Sequence, residues 1–347
     1  VHRDIAVTRI PIPKHSDASQ LLAQFRYVTG APYSEYIPEA IAVLRRVLSG
    51  YDRPVLLTRA YPAISNIVGY ETRRYASRWV AHFSDPFPGM GVYSGRTAYK
   101  ALADKWWALR IFSRADLVTV TCRNAVRHFC HSLGRDYASK MHVAYHVGQP
   151  PLTPVPVGVQ WGEGLFNMAH VGYWSRSRYM PEIVSELSAA SREWDALRMI
   201  QFGAIEKRTS DEWRNAMPSW LRLEEGRLTS PGSASAVLSH ADMNVAIDQN
   251  DGLSFCPYLS SKFVYAISSG RPVLGIGQAD CEMAMLAREH PSFYFADARK
   301  PGELRNLLLS IRDKPASEIR CPDESLRDLF SPRSVASQFL TRLECSL

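Results

Sequence analysis

The sequence predicts an α/β protein made of two Rossmann-like domains, each a parallel sheet with helices on its faces. Short apolar runs alternate with segments in which apolar residues recur at helical spacing, and this alternation indicates βαβ units. The alternation occurs twice, on either side of the proline-rich residues 150–156. A chain of 347 residues is long enough for two cores. We therefore expect one domain in residues 1–150 and a second in residues 151–330.

In the N-terminal series, apolar residues from Ile37 to Leu48 recur at helical spacing, and Gly50 ends this helix. Upstream, residues 5–12 predict a strand and residues 21–27 a helical piece. Downstream, the pattern predicts strands at 55–58, 79–83, 116–121 and 141–146, and helices at 61–77, 97–112 and 124–133. Strands and helices in this order form a parallel sheet.

The C-terminal series predicts strands at 166–171, 197–202, 221–224, 243–247, 273–276 and 292–295. Its helices are predicted at 181–190, 234–240, 260–269 and 301–311. A last helix, at 332–345, carries Val335, Phe339, Leu340 and Leu343 on one face. We treat residues 331–347 as a separate C-terminal segment.

Charge and composition restrict the partners. The formal charge of +7 and the pI near 9.1 predict an anionic partner, such as a phosphorylated substrate or an anionic membrane surface. The sequence carries no nucleic-acid-binding motif, so we expect no nucleic acid partner. It has no apolar run of about 18 residues, the length a membrane-spanning helix needs. Its six cysteines lack metal-ligand spacing, which is typical of reduced thiols in a cytoplasm.

The segment from residue 260 to 276 carries the main functional signal. Ser260 and Ser261 can cap a helix whose first turn contains Lys262, and Gly270 ends it before a buried strand. A helix N-terminus exposes unpaired N–H groups and a partial positive charge. The segment therefore predicts a phosphate site, and a crossover helix that only stabilises the fold is the alternative.

This segment resembles the donor-side helix of GT-B glycosyltransferases, especially those of the GT4 family. That helix carries a lysine, an acidic residue, a glycine and a Pro-Val pair, and the sequence is similar at Lys262, Gly270, Pro272 and Val273. Tyr265 stands where the family has a glutamate. The Glu-x7-Glu pair of the family is therefore not intact.

The first glutamate of that pair has a weaker counterpart. Asp251 begins a stretch, residues 251–255, that resembles the acidic-Gly-x-Gly-x stretch of the family at a longer distance from Gly270. Other segments similar to GT4 proteins are residues 78–87, 113–121, 169–172 and 239–245. Together these segments cover most of the chain from about residue 54 onward. The resemblance implies a GT-B fold in which the C-terminal helix crosses back to the N-terminal domain.

The first βα unit of the family, with its glycine-rich loop, has no counterpart before Ile5. We therefore expect the chain to begin inside the N-terminal, acceptor-binding domain. The C-terminal domain is then the one that binds the nucleotide-sugar donor.

The resemblance implies that basic side chains and helix N-termini stabilise the leaving diphosphate without a metal ion. The candidates for this role are Arg176, Arg178 and Lys262, since guanidinium and ammonium groups bind phosphate oxygens. A solvated loop is the alternative for the two arginines. Further candidates for donor binding share positions at strand ends or at the helix start: Gly172, Gly203, Lys207, Asp251, Ser260, Ser261 and Tyr265.

On the acceptor side, His82 and Asp85 lie at the carboxyl end of a predicted parallel strand, where open α/β sheets bind ligands. Either side chain could orient or deprotonate an acceptor hydroxyl. A histidine packed in the core is the alternative for His82. In retaining enzymes of this fold the leaving phosphate can take the proton instead.

The leading hypothesis is a retaining, metal-independent glycosyltransferase of cell-surface polysaccharide synthesis. It would move a hexose from a UDP- or GDP-sugar to a glycan or lipid-linked acceptor, without a cofactor. A non-catalytic GT-B protein that binds a glycan or a partner is one alternative, which Tyr265 favours. A UDP-sugar 2-epimerase-like enzyme is another, although its acidic and histidine groups have no clear place in the sequence.

We expect the protein to be cytoplasmic and able to bind peripherally at the inner face of the membrane. Residues 96–114 motivate this expectation, because Lys100 and Lys105 accompany Trp106 and Trp107 in one predicted helix. Basic residues beside aromatic ones suit a helix that lies on an anionic bilayer. The alternative is a core helix whose tryptophans pack against the sheet.

Overall fold

The computed structural model describes residues 36–60, 64–87, 98–148, 159, 161–175, 178, 181–206, 218–224, 230–249 and 255–345. The chain divides into two compact units. Unit 1 consists of Val1–Thr121, Ala125–Val143 and Arg342–Leu347, and unit 2 of Cys122–Asn124 and Ala144–Thr341. The expected boundary at 150–156, the strand at 5–12 and the helix at 21–27 lie outside the described residues.

Unit 1 contains a parallel sheet with the strand order β1-β2-β3-β4. Its strands are β1 (Val55–Ala60), β2 (Arg78–Phe83), β3 (Leu117–Val120) and β4 (Met141–Val143). The helices in this part of the chain are α1 (Ile37–Leu48), α2 (Ile64–Thr72), α3 (Ala98–Arg114) and α4 (Arg123–Leu133). Every residue of β3 is buried, as a strand covered on both faces requires.

Unit 2 contains a parallel sheet with the strand order β10-β9-β8-β5-β6-β7. Its strands are β5 (Phe166–Val171), β6 (Leu197–Phe202), β7 (Leu221–Glu224), β8 (Met243–Ile247), β9 (Val273–Gly277) and β10 (Tyr294–Asp297). The chain adds β6 and β7 on one side of β5 and then returns to place β8 on its other side. The carboxyl ends of β5 and β8 are therefore a topological switch point, where ligands bind in open α/β sheets.

Unit 2 contains further helices, some of which pack on the two faces of its sheet. They are α5 (Pro181–Glu193), α6 (Pro231–His240), α7 (Ser261–Ser268), α8 (Glu282–Glu289), α9 (Glu303–Arg312), α10 (Glu324–Leu329) and α11 (Pro332–Cys345). One core cluster contains Met168, Met199 and Leu274 together with residues of α5 and α9. A second cluster, with Ala169, Ile200 and Val237, lies on the opposite face of the sheet.

The predicted fold class is confirmed, and most predicted strands and helices occur within a few residues of their expected positions. The expected crossing of the last helix is confirmed as well, because residues 342–345 of α11 belong to unit 1. There the Arg342 guanidinium donates to the Ser139 carbonyl at 2.9 Å. The predicted apolar face of α11 is wrong at Leu340, which is 53% exposed.

The sequence pattern missed two short helices, α8 and α10. The expected strand at 141–146 was too long, since β4 ends at Val143. None of the helices in the described part of the chain is long and apolar enough to cross a membrane. All six cysteines are free thiols.

Candidate functional site

Two glycines mark the carboxyl edge of the unit 2 sheet. Gly172 follows β5 with φ of 116°, and Gly203 follows β6 with φ of 108°. L-residues that carry a side chain rarely adopt this backbone conformation, so glycine is the residue that turns the chain here without strain. The Gly172 N–H donates to the Phe202 carbonyl at 2.7 Å, which joins the two strand ends.

Lys262 lies directly on Gly172. A Cβ atom at Gly172 would overlap with Lys262 Cε and would be 3.1 Å from Lys262 Cδ. The aliphatic part of Lys262 therefore occupies the space that any other residue at position 172 would fill. The absence of a side chain at Gly172 is what allows the lysine to cross the end of β5.

Helix α7 sets the position of Lys262. Ser260 is the N-cap residue, and its Oγ accepts a hydrogen bond from the Lys262 N–H at 3.3 Å. Ser260 is 7% exposed, and Ser261 is the first residue of the helix. Lys262 thus stands in the first turn of α7, at the positive end of the helix dipole, which favours an anion.

The ammonium group of Lys262 has no hydrogen-bond or ion-pair partner among the described residues. Burial, and then the positive charge of Arg178, lower its pKa to about 8. A partly buried cation without a carboxylate beside it is electrostatically unfavourable. An anionic ligand would remove this cost, so the position predicts an anion site.

Arg178 is the second cation of the site. It is only 7% exposed, so the alternative of a solvated loop is wrong for this residue. Its Nε donates to the Ile247 carbonyl at 3.2 Å, and Nη1 donates to the Tyr173 carbonyl at 3.4 Å. The guanidinium therefore links the loop after β5 to the last residue of β8, at the switch point of the sheet.

Sequence reasoning missed a buried His–Gln pair beneath these cations. His170 is fully buried, and its Nδ1 lies 2.5 Å from Gln201 Oε1. The Gln201 amide nitrogen donates to the Gly172 carbonyl at 2.8 Å, which fixes the amide so that Oε1 must accept. His170 Nδ1 is therefore the donor, and Nε2 carries a lone pair that has no partner among the described residues.

His170 is a neutral imidazole. Burial lowers its pKa to about 3, and the charge of Lys262 acts in the same direction. The pair could have been suspected from the sequence, because His170 and Gln201 each stand two residues before the glycine that ends their strand. Their contact depends on the strand register, which pairs His170 with Gln201 and which the sequence does not reveal.

Asp248, directly after β8, is another residue that the sequence analysis did not single out. It is 3% exposed, and burial raises its pKa to about 6, although hydrogen bonds from the Cys256 thiol and the Gln249 N–H lower it. Cys281 also lies against this carboxyl group. Among the described residues, no group of three His, Cys, Asp or Glu side chains is arranged to hold a metal ion.

The acceptor-side candidates lie in unit 1. His82, on β2, is partly buried, and its Nδ1 lies 2.9 Å from the Thr119 hydroxyl oxygen. The Asn66 amide donates to the His82 carbonyl at 3.2 Å. Asp85 is two residues beyond the end of β2 and is partly buried. Both residues therefore lie at the carboxyl edge of their sheet.

The structure brings together Gly172, Arg178, Ser260 and Lys262, with Gly203 at the neighbouring strand end. Tyr265 lies one turn further along α7 and is partly buried. Three candidates, Arg176, Lys207 and Asp251, lie outside the described residues.

No protein-family model matches the chain, and no curated protein matches it significantly. Several solved structures, in contrast, are similar to the fold of this chain. A UDP-forming α,α-trehalose-phosphate synthase from Burkholderia xenovorans aligns with a TM-score of 0.63 at 11% identity, over 94% of this chain and 85% of the synthase.

Two further structures show the same likeness. Sucrose-phosphate synthase from Thermosynechococcus elongatus aligns with a TM-score of 0.61 at 15% identity, over 90% of this chain and 79% of that one. HepE from Anabaena, solved in complex with UDP, aligns with a TM-score of 0.59 at 13% identity, over 88% of this chain and 82% of HepE. The chain therefore has the GT-B fold of these proteins, with two Rossmann-like domains.

Proposed function

We propose that this protein is a glycosyltransferase that uses a nucleotide-sugar donor. The observation that carries the proposal is the Lys262 ammonium, which lies over Gly172 beside Arg178 and has no partner among the described residues. In a GT-B fold this position, at the carboxyl end of the donor-domain sheet, suits the diphosphate of a sugar nucleotide.

The chemistry of sugar transfer explains why two cations are useful here. Breaking the bond between the sugar and the diphosphate leaves negative charge on the phosphate oxygens. Lys262 and Arg178 can stabilise that charge, and the positive end of the α7 helix dipole adds to the effect. A partly buried setting strengthens each of these interactions relative to water.

We further propose a metal-independent, retaining reaction of the GT4-like type, with a glycan or lipid-linked acceptor in cell-surface polysaccharide synthesis. The segments that resemble GT4 proteins support this finer assignment. UDP is the first donor nucleotide to test, because HepE was solved with UDP and the trehalose-phosphate synthase is UDP-forming. His82 or Asp85 would orient the acceptor hydroxyl, and the leaving phosphate can accept its proton.

A thermal-shift panel of UDP-, GDP- and dTDP-sugars, followed by donor hydrolysis with and without glycan acceptors, tests the proposal. We expect Lys262→Met to lower the rate by roughly 100-fold or more, because a lost charge of this kind costs about 3 kcal/mol of transition-state stabilisation. Lys262→Arg should retain part of the activity. EDTA should leave the rate unchanged. Near-normal turnover by Lys262→Met would contradict the assignment.

A non-catalytic GT-B protein is the second candidate, and Tyr265 is the observation that favours it. Tyr265 occupies the place of the family glutamate on α7 and carries no carboxylate for the donor. A non-catalytic protein would bind a nucleotide sugar or a glycan and release no nucleotide in any acceptor mixture. Nucleotide release together with an altered free sugar would point instead to an epimerase-like reaction.

We also propose that α3 contacts an anionic membrane surface. Leu102 and Trp106 are 69% and 47% exposed, and Lys105 is exposed between them. Trp107 and Phe112 are buried, so these two aromatic residues of the helix belong to the core. The membrane-facing surface, which we call the α3 patch, would therefore consist of Leu102, Lys105 and Trp106.

A further inference from the structure

A cavity lies on the unit 2 sheet, away from the site around Lys262. It measures about 200 Å³, and its wall includes Trp161, Asn167, Arg198, Ile200 and Arg222. We call it the edge pocket. The strand register pairs Asn167 with Arg198 and Ile200 with Arg222, so these side chains share one face of β5, β6 and β7.

The edge pocket is separate from the donor site along the strands. Asn167 is the second residue of β5, whereas Gly172 follows the end of that strand. Five residues of extended strand span roughly 16 Å. A ligand in the edge pocket would therefore not compete directly with a diphosphate held by Lys262.

Two polar groups in the edge pocket lack partners. Asn167 is 5% exposed, and its amide nitrogen donates to the carbonyls of Leu165 at 3.1 Å and Gly162 at 3.4 Å. These bonds orient the amide, so its Oδ1 is a buried acceptor without a partner among the described residues. The Nε of Arg198 is likewise a buried donor without a partner in that part of the chain.

Buried groups of this kind are costly unless a ligand or water satisfies them. Asn167 and Arg198 both line the edge pocket, and each holds one unsatisfied polar atom that is enclosed by protein in the described structure.

Arg198 is the cation of the edge pocket that is available to an anion. Glu224 pairs with Arg222 at 2.7 Å, whereas Arg198 has no carboxylate partner among the described residues. The Asp242 carboxylate, which accepts from the Asn167 N–H at 2.8 Å, lies directly before the neighbouring strand β8 and does not form an ion pair with Arg198. Guanidinium groups bind phosphate oxygens in a planar, two-pronged geometry, which makes phosphate a suitable anion.

Trp161 provides an apolar wall. Its ring is stacked on His240, with ring centres 6.3 Å apart and planes 13° apart, which holds the indole in a fixed orientation. An indole face suits the C–H face of a sugar ring, and binding sites combine such surfaces with a few placed polar groups. The volume is below the roughly 300 Å³ of sites for drug-sized ligands, so the occupant is small.

We propose that the edge pocket binds a phosphorylated monosaccharide. The phosphate contacts Arg198 and Arg222, one sugar hydroxyl donates to Asn167 Oδ1, and the ring lies against Trp161. This site does not depend on the proposed transferase activity, since no residue of the edge pocket belongs to the donor site.

The test is isothermal titration of the full chain with glucose 6-phosphate, glucose and inorganic phosphate. We expect saturable binding of glucose 6-phosphate, with a higher affinity than that of glucose or of inorganic phosphate. Arg198→Met should weaken it by about tenfold or more, the cost of a charge-assisted hydrogen bond, and Arg198→Lys by less. An unchanged far-UV circular dichroism spectrum and unfolding midpoint would show that the variants fold.

Two controls separate this site from the donor site. Lys262→Met should leave sugar-phosphate binding unchanged, and Arg198→Met should leave nucleotide-sugar binding unchanged. Binding of inorganic phosphate as tight as that of the sugar phosphate would show an adventitious ion only. Absent binding, or equal affinity in the Arg198→Met variant, would also overturn the proposal.

Discussion

At the scale of single residues, Gly172 and Lys262 act as one unit. Replacing Gly172 with alanine places a methyl group on the path of the lysine, at a φ of 116° that alanine rarely adopts. We expect Gly172→Ala to lower nucleotide-sugar affinity by about tenfold or more, because Lys262 can no longer cross the strand end. Titration with the donor nucleotide measures the loss.

Gly134→Ala is the matched control for this substitution. Gly134 also has a positive φ, of 66°, but a Cβ there would meet no atom within 4 Å. The control should lose about 1–2 kcal/mol of stability from backbone strain alone and bind the donor normally. Equal donor affinity in both variants would show that Lys262 does not depend on the bare strand end.

Lys262 should also lower the stability of the ligand-free protein relative to a variant with an uncharged side chain at this position. Its pKa in the folded state, about 8, lies below the ordinary value of 10.5, so folding disfavours its charged form. This cost is fully present below pH 8 and disappears as the pH rises from about 8 to 10.5. We expect Lys262→Met to stabilise the empty protein by roughly 1–3 kcal/mol at pH 7 and by much less above pH 10.

Urea unfolding at both pH values measures this difference. A Lys262→Met variant that is less stable than the wild type at pH 7 would show that the ammonium is satisfied in the empty protein. A gain in stability combined with a loss of donor binding would identify Lys262 as a residue retained for its ligand.

The sequence predicted the parts of the site that depend on local pattern. Gly172 and Gly203 end buried strands, and Lys262 follows a pair of capping serines, so all three could be found from spacing along the chain. Asp248 could not, and the spacing of His170 and Gln201 to Gly172 and Gly203 marks two positions without showing that they touch. The role of His170 follows from a cross-strand contact with Gln201, and that of Asp248 from burial next to cysteines distant in sequence.

At the scale of elements, α8 is held in place by an ion pair within unit 2 whose carboxylate is buried. Glu282, in its first turn, is fully buried and accepts from Arg123 Nε at 2.7 Å and from the Tyr145 hydroxyl at 2.8 Å. Removing this carboxylate leaves the Arg123 cation without its buried partner. Arg123 is partly exposed and keeps its contact with Glu289, so we expect Glu282→Ala to cost about 2–3 kcal/mol of stability, measured by chemical unfolding.

Glu289 provides the comparison on the same helix. It contacts Arg123 as well, at 2.5 Å, but its side chain is 49% exposed. Glu289→Ala should cost no more than about 1 kcal/mol, as exposed ion pairs do. Similar losses in the two variants would mean that burial does not control the strength of this cluster.

Helix α8 also shows why some elements were not predicted. Its N-cap is Cys281, whose Sγ accepts from the Ala284 N–H at 3.4 Å, and cysteine is not among the residues that usually cap helices. The helix has only eight residues, too few for the periodic pattern to stand out. The strands β5, β6 and β8 were predicted well because each is a buried apolar run between turn residues.

At the scale of the whole molecule, the repeated alternation of strands and helices was enough to predict two Rossmann-like domains. Parallel strands need crossover helices, so this order of elements leaves few possible arrangements. The pattern could not show which part of each strand meets a ligand. That depends on the switch point between β5 and β8, which is set by the strand order of the folded sheet.

The net charge of +7 leads to a prediction about membranes that depends on the α3 patch. Lys105 and Trp106 are exposed on α3, and a basic residue near an anionic bilayer contributes about 1 kcal/mol of binding free energy. We expect the protein to co-sediment with vesicles that contain anionic lipid at low salt, and less at high salt because ions screen the attraction. Little of the protein should co-sediment with vesicles of neutral lipid.

The double variant Lys105→Glu/Trp106→Ser should abolish this co-sedimentation, since it removes both the charge and the interfacial aromatic ring. Lys300→Glu is the matched control. Lys300 is exposed in unit 2, and its replacement by glutamate changes the net charge by the same amount as the double variant. If the two variants lose binding equally, the net charge of the molecule and not the α3 patch attracts the protein to the bilayer. Equal recovery with neutral and anionic vesicles would contradict membrane binding through charge altogether.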